Sequence, residues 1–428
     1  MNNISLDYSN VMADAVGEKH GITAKELEAH SELYKNAHRE LVKQRSSGFM
    51  FYHLPAFKEP LREIQEMAAT IREKYEYVVL LGIGGSALGP FSIFKALLHP
   101  YYNDLPADKR NGPKFYVMDN VDPDYFEQLD DVIDYKKTAF LVVTKSGSTA
   151  ETISSFMYMC GHLRHKLDLN PSTHFFFITD PEKGKLRELA EEWQVPSLSI
   201  PPGVGGRFSV FTPVGLLPAA ILGINIEEML DGAARMDTAS FKEDALNSPA
   251  YMFAIIHWLL YQKGKPIHVL FPYANSLYSL ADWFRQLWAE SLGKRTDLDG
   301  KEVFAGPTPV KALGATDQHS QVQLYVEGPF DKVFTFMEVE NFSKKAKITG
   351  ELPFSDFSYL EQKDIQTLLN TEKKATEIAL TENNRPNCTI KIPQVTPYSV
   401  GQLFYLFELA TAFAGSLMYI NPQDGRRQ

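Results

Sequence analysis

The spacing of apolar and charged positions divides the chain into stretches of different texture. Residues 1–75 carry charged segments such as HGITAKELEAHSELYKNAHRELVKQR, and this pattern predicts an N-terminal helical segment. At Tyr77 the texture changes. The run YVVLLGIGGSALGPFSIFKALL reads as a short β-branched strand, a glycine-rich loop and an amphipathic helix. Strand-like runs follow at KFYVMD, AFLVVT, HFFFIT and VPSLSI, and the first three alternate with helix-like segments. That alternation predicts an α/β domain over 76–202 with a largely parallel sheet. Residues 203–265 read as a mainly helical connector.

A second strand, bend and helix begin at PIHVLFPYANSLYSLADWFRQLW. Beside the first, VVLLGIGGS and HVLFPYANS share an apolar strand, a bend and a serine before a helix, a weak internal repeat. LYVEGP and KVFTFMEV are expected to supply strands to a second α/β domain over 266–380, with a helix near 359–381. The stretch TENNRPNCTIKIPQVTPYS reads as irregular, and an apolar helix from Val400 completes a C-terminal segment over 381–428. Length alone suggests roughly three units. The pattern gives two α/β lobes with helical additions.

Composition narrows the class of protein. With 44% hydrophobic residues in 428, the chain can bury a large core, which excludes global disorder. Its 53 acidic against 43 basic residues leave a net charge of −10, contrary to the basic stripe expected of a nucleic-acid binder. Two cysteines form no disulfide framework and fit a reducing compartment, and MNNISLDYSN lacks a secretory pattern, so a cytoplasmic location is expected. The apolar tail Gly401–Ile420, followed by Arg426 and Arg427, has the length of a membrane anchor. Glu408 near its middle argues instead for a buried helix, because a carboxylate at the bilayer centre costs about 2.5–3.5 kcal/mol. No membrane partner is expected.

Several loops carry candidate chemistry. Gly82, Gly84, Gly85 and Ser86 follow a strand and open a helix, where backbone amides and the helix N-terminus favour an anion. The spacing is not G-x-G-x-x-G, and the next acid at a strand end, Asp119, lies 37 residues beyond Gly82, so a dinucleotide fits poorly. After AFLVVT come Thr144, Lys145, Ser146, Gly147, Ser148 and Thr149. Clustered hydroxyls at a helix start suit a compact phosphomonoester, and an N-cap with spare hydroxyls is the plainer alternative. Arg207, in GVGGRFSVFTPVG, either stabilises a developing oxyanion or is a surface arginine beside a turn. Glu290, in ADWFRQLWAESLGK, shares a helical face with Leu287 and Trp283. Desolvation there would suit a general base, whereas a solvated pair with Lys294 is the competing reading. His319, in GATDQHSQVQLY, is either an acid–base group or a structural histidine. His162 and His165 have helical spacing but no accompanying H-E-x-x-H or C-x-x-C, so no catalytic metal is expected.

Together GIGGSALGP (82–90), TKSGSTAET (144–152), GGRFSVFTPVGL (205–216), LWAESLGK (287–294), QHSQVQL (318–324) and the tail GQLFYLFELATAFAGSLMYINP resemble the glucose-6-phosphate isomerase family, in the family's order. The resemblance implies two sugar-isomerase (SIS) lobes, each a five-stranded, largely parallel sheet flanked by helices, and a homodimer with shared active sites. It implies that Ser86, Thr144, Lys145, Ser146, Ser148 and Thr149 hold a substrate phosphate, with Gly84, Gly85 and Gln286 also at the substrate. Arg207 would steady an enediolate, Glu290 would move a proton between C2 and C1, and His319, from the neighbouring subunit, would help open the sugar ring.

Such chemistry needs no cofactor: one carboxylate moves one proton through a cis-enediol(ate) while a fixed cation offsets the charge. The expected activity is therefore reversible isomerisation of glucose 6-phosphate and fructose 6-phosphate, in glycolysis and gluconeogenesis. A weakened sugar-phosphate-binding protein and an isomerase of a related phosphosugar are the alternatives. Thr144 replaces the family's usual serine and keeps the hydroxyl. The family also carries a lysine beyond the segment matching Asn421–Asp424, and GRRQ offers no match. Arg426 and Arg427 stand nearest, but arginine does not exchange protons at neutral pH, so ring opening is expected to suffer before proton transfer does.

Overall fold

The computed structural model describes residues 3–241, 247–350, 352 and 355–424. Arg426 and Arg427 lie outside the described residues. The strands are β1 (Ser5–Asp7), β2 (Tyr77–Leu81), β3 (Lys114–Met118), β4 (Thr138–Val143), β5 (Phe175–Thr179), β6 (Ser197–Ser199), β7 (Ile267–Pro272), β8 (Lys294–Thr296), β9 (Glu302–Ala305), β10 (Thr308–Lys311), β11 (Lys332–Val339) and β12 (Asn387–Ile392). The chain forms two compact units, Gln44–Ala234 and Met1–Lys43 with Arg235–Gln428.

In the Gln44–Ala234 unit, five parallel strands lie in the order β3-β2-β4-β5-β6. Val79 pairs with Tyr116 on one side and Phe140 on the other. Every residue of TAFLVV and FFFIT is buried, as expected for a sheet covered on both faces. One core joins Val79, Phe140, Val142, Phe175 and Phe177 to Phe156 and Met159 of the helix Ala150–Gly161.

In the second unit the order is β1-β12-β11-β7-β10, parallel except for β1, which runs antiparallel at the edge. The helix Pro397–Leu417 is long and apolar enough to cross a membrane, yet 94% of its most apolar window is buried. Phe404 meets Trp283 at 4.6 Å between ring centroids, Phe407 meets Phe284 at 4.7 Å, and Phe413 stacks on Tyr251 at 4.1 Å. Those partners belong to the helices Tyr278–Leu292 and Pro249–Gln262, so the apolar surface of the tail is consumed by packing.

Three secondary-structure expectations need correction. LYVEGP is not a strand: Val322–Glu327 is a helix, with the Tyr325 hydroxyl donating to Gln321 Oε1 at 2.6 Å one turn back. The strand nearby is TPVK, β10, whose Pro309 is tolerated because β10 lies at the sheet edge. The stretch read as irregular contains β12, where Cys388, Ile390 and Ile392 alternate with polar residues. The N-terminal segment is not wholly helical, because β1 pairs with β12 and Asp7 accepts from Lys391 at 3.0 Å.

Candidate active site

The order β3-β2-β4-β5-β6 reverses direction between β2 and β4. In an open α/β sheet, ligands bind at such a switch point, beyond the carboxyl ends of the strands. Here the loops after β2, β4 and β5 surround a cavity of about 390 Å³ lined by Gly85, Ser86, Thr144, Lys145, Ser146, Thr149, Asp180, Lys183 and Gly206, with Ile83.

Each loop is shaped by its glycines. Gly84 adopts φ +57° at the N-cap of the helix Gly85–Leu97, so that helix starts almost directly from β2. Gly85 must lack a side chain, because a Cβ there would lie 2.3 Å from the Gly206 carbonyl oxygen and 2.7 Å from the Arg207 nitrogen. The glycine-rich turn thus presses against the loop that carries Arg207.

The second loop delivers the hydroxyls. Thr149 is the N-cap of Ala150–Gly161, yet its side chain makes no cap bond; its Oγ1 lies 3.1 Å from the Thr144 Oγ1. Ser148 donates its hydroxyl to Ser146 Oγ at 3.1 Å. Ser86, Thr144, Ser146 and Thr149 therefore converge on one cavity, with Ser148 held beside it. The starts of two helices, Gly85–Leu97 and Ala150–Gly161, lie at the same place and add partial positive charge.

Lys145 sits differently from a bare anion-attracting cation. Its ammonium donates to the carbonyl oxygens of Pro202 at 2.5 Å and Val204 at 2.7 Å. Burial lowers its pKa, against the opposing pull of the Asp180 charge. These bonds fix the approach to Arg207, which is only 4% exposed on the turn Gly206–Phe208. Phe208 stacks on Phe51 at 4.7 Å, and Ser209 Oγ donates to the Gly206 carbonyl at 2.6 Å, so the turn is braced on both sides.

In the other unit Gln286 and Glu290 lie one turn apart on the helix Tyr278–Leu292, with Gln286 Nε2 donating to Glu290 Oε2 at 3.1 Å. The burial expected for Glu290 is not found: the residue is exposed. Leu287 and Trp283 do enter the core, and so do Ser291 and Leu292 of the last turn, whereas Ala289 and Glu290 face outward. Lys294 donates to the Glu290 main-chain carbonyl at 3.0 Å and to that of Asp424 at 2.7 Å, capping the helix end.

His319 is exposed at the end of a rigid loop. The preceding Gln318 anchors it, its amide nitrogen lying 2.7 Å from the Tyr273 hydroxyl, 2.6 Å from Thr376 Oγ1 and 3.0 Å from the Glu372 carbonyl. Asp317 accepts from the Leu313 N–H at 2.7 Å and the Ser320 hydroxyl at 2.5 Å. Burial raises the pKa of Asp317, and these hydrogen bonds outweigh it to hold the carboxyl below its ordinary value.

Sequence reasoning missed Asp180 and Lys183. The available signal was the turn DPEKG directly after β5, at the same sheet end as the other two loops.

Two α/β units, each built on a five-stranded and largely parallel sheet, give this chain the fold of the phosphosugar isomerases. The phosphoglucose isomerase family model matches residues 53–425, and the chain belongs to that family. It is 46% identical over 424 residues to the glucose-6-phosphate isomerase of Carboxydothermus hydrogenoformans, covering 98% of this chain and 91% of the relative. The solved structure of a hypothetical protein from Thermus thermophilus superposes with a TM-score of 0.86 at 34% identity, covering 99% of this chain and 96% of that one. A glucose-6-phosphate isomerase from Chlamydia trachomatis shares the fold, with a TM-score of 0.80 at 22% identity over 95% of this chain and 84% of that one.

Proposed function

We propose that this chain interconverts glucose 6-phosphate and fructose 6-phosphate, as the names of its relatives indicate. The observation that carries the reading is the convergence of Ser86, Thr144, Ser146 and Thr149 at a sheet switch point, a set of donors suited to a phosphomonoester. Lys145 and Ser148 belong to the hydroxyl loop, and Gly84 and Gly85 bring the backbone of the glycine-rich turn close to the sugar phosphate. Binding energy from the phosphate then fixes the orientation of the reacting carbons.

In this mechanism Glu290 takes the proton from C2 of the open-chain aldose and returns it to C1, and the reverse reaction retraces the step. Gln286, bonded to Glu290, contacts the sugar and steers the carboxylate. Arg207, fixed on its braced turn, stabilises the negative charge that develops on the enediolate oxygen. His319 acts on the ring oxygen during opening, donated by a second copy in a homodimer; its exposure on a rigid loop supports that role. The same reading places the enzyme in the cytoplasm.

The test is a coupled assay that starts from fructose 6-phosphate and follows oxidation of the glucose 6-phosphate formed. Glu290→Gln should lower kcat by about 10²–10⁴, the range expected for a lost general base. Normal turnover by that variant would overturn the proton-transfer assignment.

A further inference from the structure

We propose that Lys183, rather than Lys145, supplies the positive charge that holds the substrate's phosphate; the inference rests on the isomerase reading above. Three charged side chains line the cavity: Lys145, Asp180 and Lys183. The Lys145 ammonium is committed to the carbonyls of Pro202 and Val204 and lies in the field of the Asp180 carboxylate. The Lys145 ammonium is thus already engaged within the protein. Asp180 is occupied as well, its Oδ1 accepting the N–H groups of Glu182 at 3.0 Å and Lys183 at 2.9 Å. A phosphomonoester brings up to two negative charges, and Lys183 is the remaining cation of the lining, with no ion-pair or hydrogen-bond partner for its ammonium among the described residues.

The position of Lys183 is built rather than incidental. The two bonds to Asp180 fold residues 180–183 into a turn. Gly184 follows at φ +97°, where a Cβ would stand 2.6 Å from the Ser146 carbonyl oxygen. Gly147, at φ +63°, presses in return against the Lys185 and Leu186 nitrogens, at 3.2 and 2.9 Å from its would-be Cβ. The turn carrying Lys183 is thus seated backbone to backbone on the hydroxyl loop. Lys183 acts as a substrate-binding residue, and Lys145 as a positioning residue for the approach to Arg207.

Kinetics with fructose 6-phosphate and thermal stabilisation by inorganic phosphate test the assignment in parallel. Lys183→Gln should raise KM about tenfold, more than it lowers kcat, and weaken phosphate stabilisation. It should also make kcat/KM less sensitive to ionic strength, and Lys183→Arg should restore most of each loss. Because Lys183 is exposed, the unliganded melting temperature should hold. Lys145→Met should instead lower the melting temperature of the unliganded protein. Unchanged phosphate stabilisation and KM in Lys183→Gln would overturn the proposal. A wild-type protein whose phosphate binding depends on Lys183 but which fails to turn over fructose 6-phosphate would support the assignment and sink the isomerase reading alone.

Discussion

Gly85 and Gly206 meet backbone to backbone: a Cβ on Gly85 would lie 2.3 Å from the Gly206 carbonyl oxygen. Gly85 opens the helix at the cavity, and Gly206 precedes Arg207, so one contact sets both the glycine-rich turn and the arginine. Gly85→Ala must push these loops apart. It should cost about 1–3 kcal/mol in stability, as overpacking does. Steady-state kinetics should show a raised KM together with a lowered kcat, since both loops move.

The Thr144 and Thr149 hydroxyls bond each other, while Thr149 leaves its own helix uncapped. Replacing both by valine removes the two partners together and keeps their shapes, a change that is nearly neutral for stability. The double variant should therefore melt close to wild type while its KM for fructose 6-phosphate rises at least about tenfold. A marked fall in melting temperature with unaltered KM would assign these hydroxyls to the fold instead.

If His319 serves the neighbouring copy, two inactive variants should complement. Glu290→Gln and His319→Ala, unfolded and refolded together, would give about half hybrid dimers, each with one intact site of two. Activity near about a quarter of wild type is expected, against the low sum of the separate variants. No gain on mixing, with hybrids present by mass, would place His319 and Glu290 in sites within one copy.

Glu408 is fully buried in the helix Pro397–Leu417, and among the described residues both its carboxyl oxygens lack a hydrogen-bond partner. Burial holds its pKa well above the ordinary value of 4.5, so the folded protein keeps a proton that the unfolded chain releases above that pH. Stability should then fall as pH rises from 4.5 toward the folded-state pKa, by up to about 1.4 kcal/mol per unit. Glu408→Gln carries no such proton. Its melting temperature should match wild type near about pH 5 and exceed it increasingly toward about pH 8. Equal slopes with pH in the two proteins would contradict this.

The elements legible in the sequence were those whose strands are buried on both faces. YVVLL, AFLVV and FFFIT stand out because a covered parallel strand is a continuous apolar run. β12 escaped notice because Asn387, Thr389 and Lys391 interrupt its apolar residues, and all three bond to partners elsewhere in the chain: Asn387 accepts from Asn10 at 3.3 Å, Thr389 accepts from Lys373 at 2.8 Å, and Lys391 donates to Asp7. β1 is three residues long, too short for any period to show. Motif order singled out the hydroxyl loop, whose Thr144, Ser146 and Thr149 line the cavity, and Arg207, which follows the cavity-lining Gly206. The exposure of Glu290 was not readable, since the i,i+3 spacing from the buried Leu287 places it near the covered face without fixing how far the covering extends. Lys183 was passed over because DPEKG reads as an ordinary turn until its packing on the hydroxyl loop is seen.

The antiparallel pairing of β1 with β12 also has a consequence for synthesis. Ser5 lies opposite Lys391, so the first strand made must await a partner 386 residues later. At about 5–20 residues per second, that wait on the ribosome is roughly 20–80 s. The Gln44–Ala234 unit is continuous in sequence and can close its sheet while translation proceeds. From residue 234 until β12 is made, the nascent chain would therefore carry one finished unit and one open edge, and this open edge is where a chaperone would be needed.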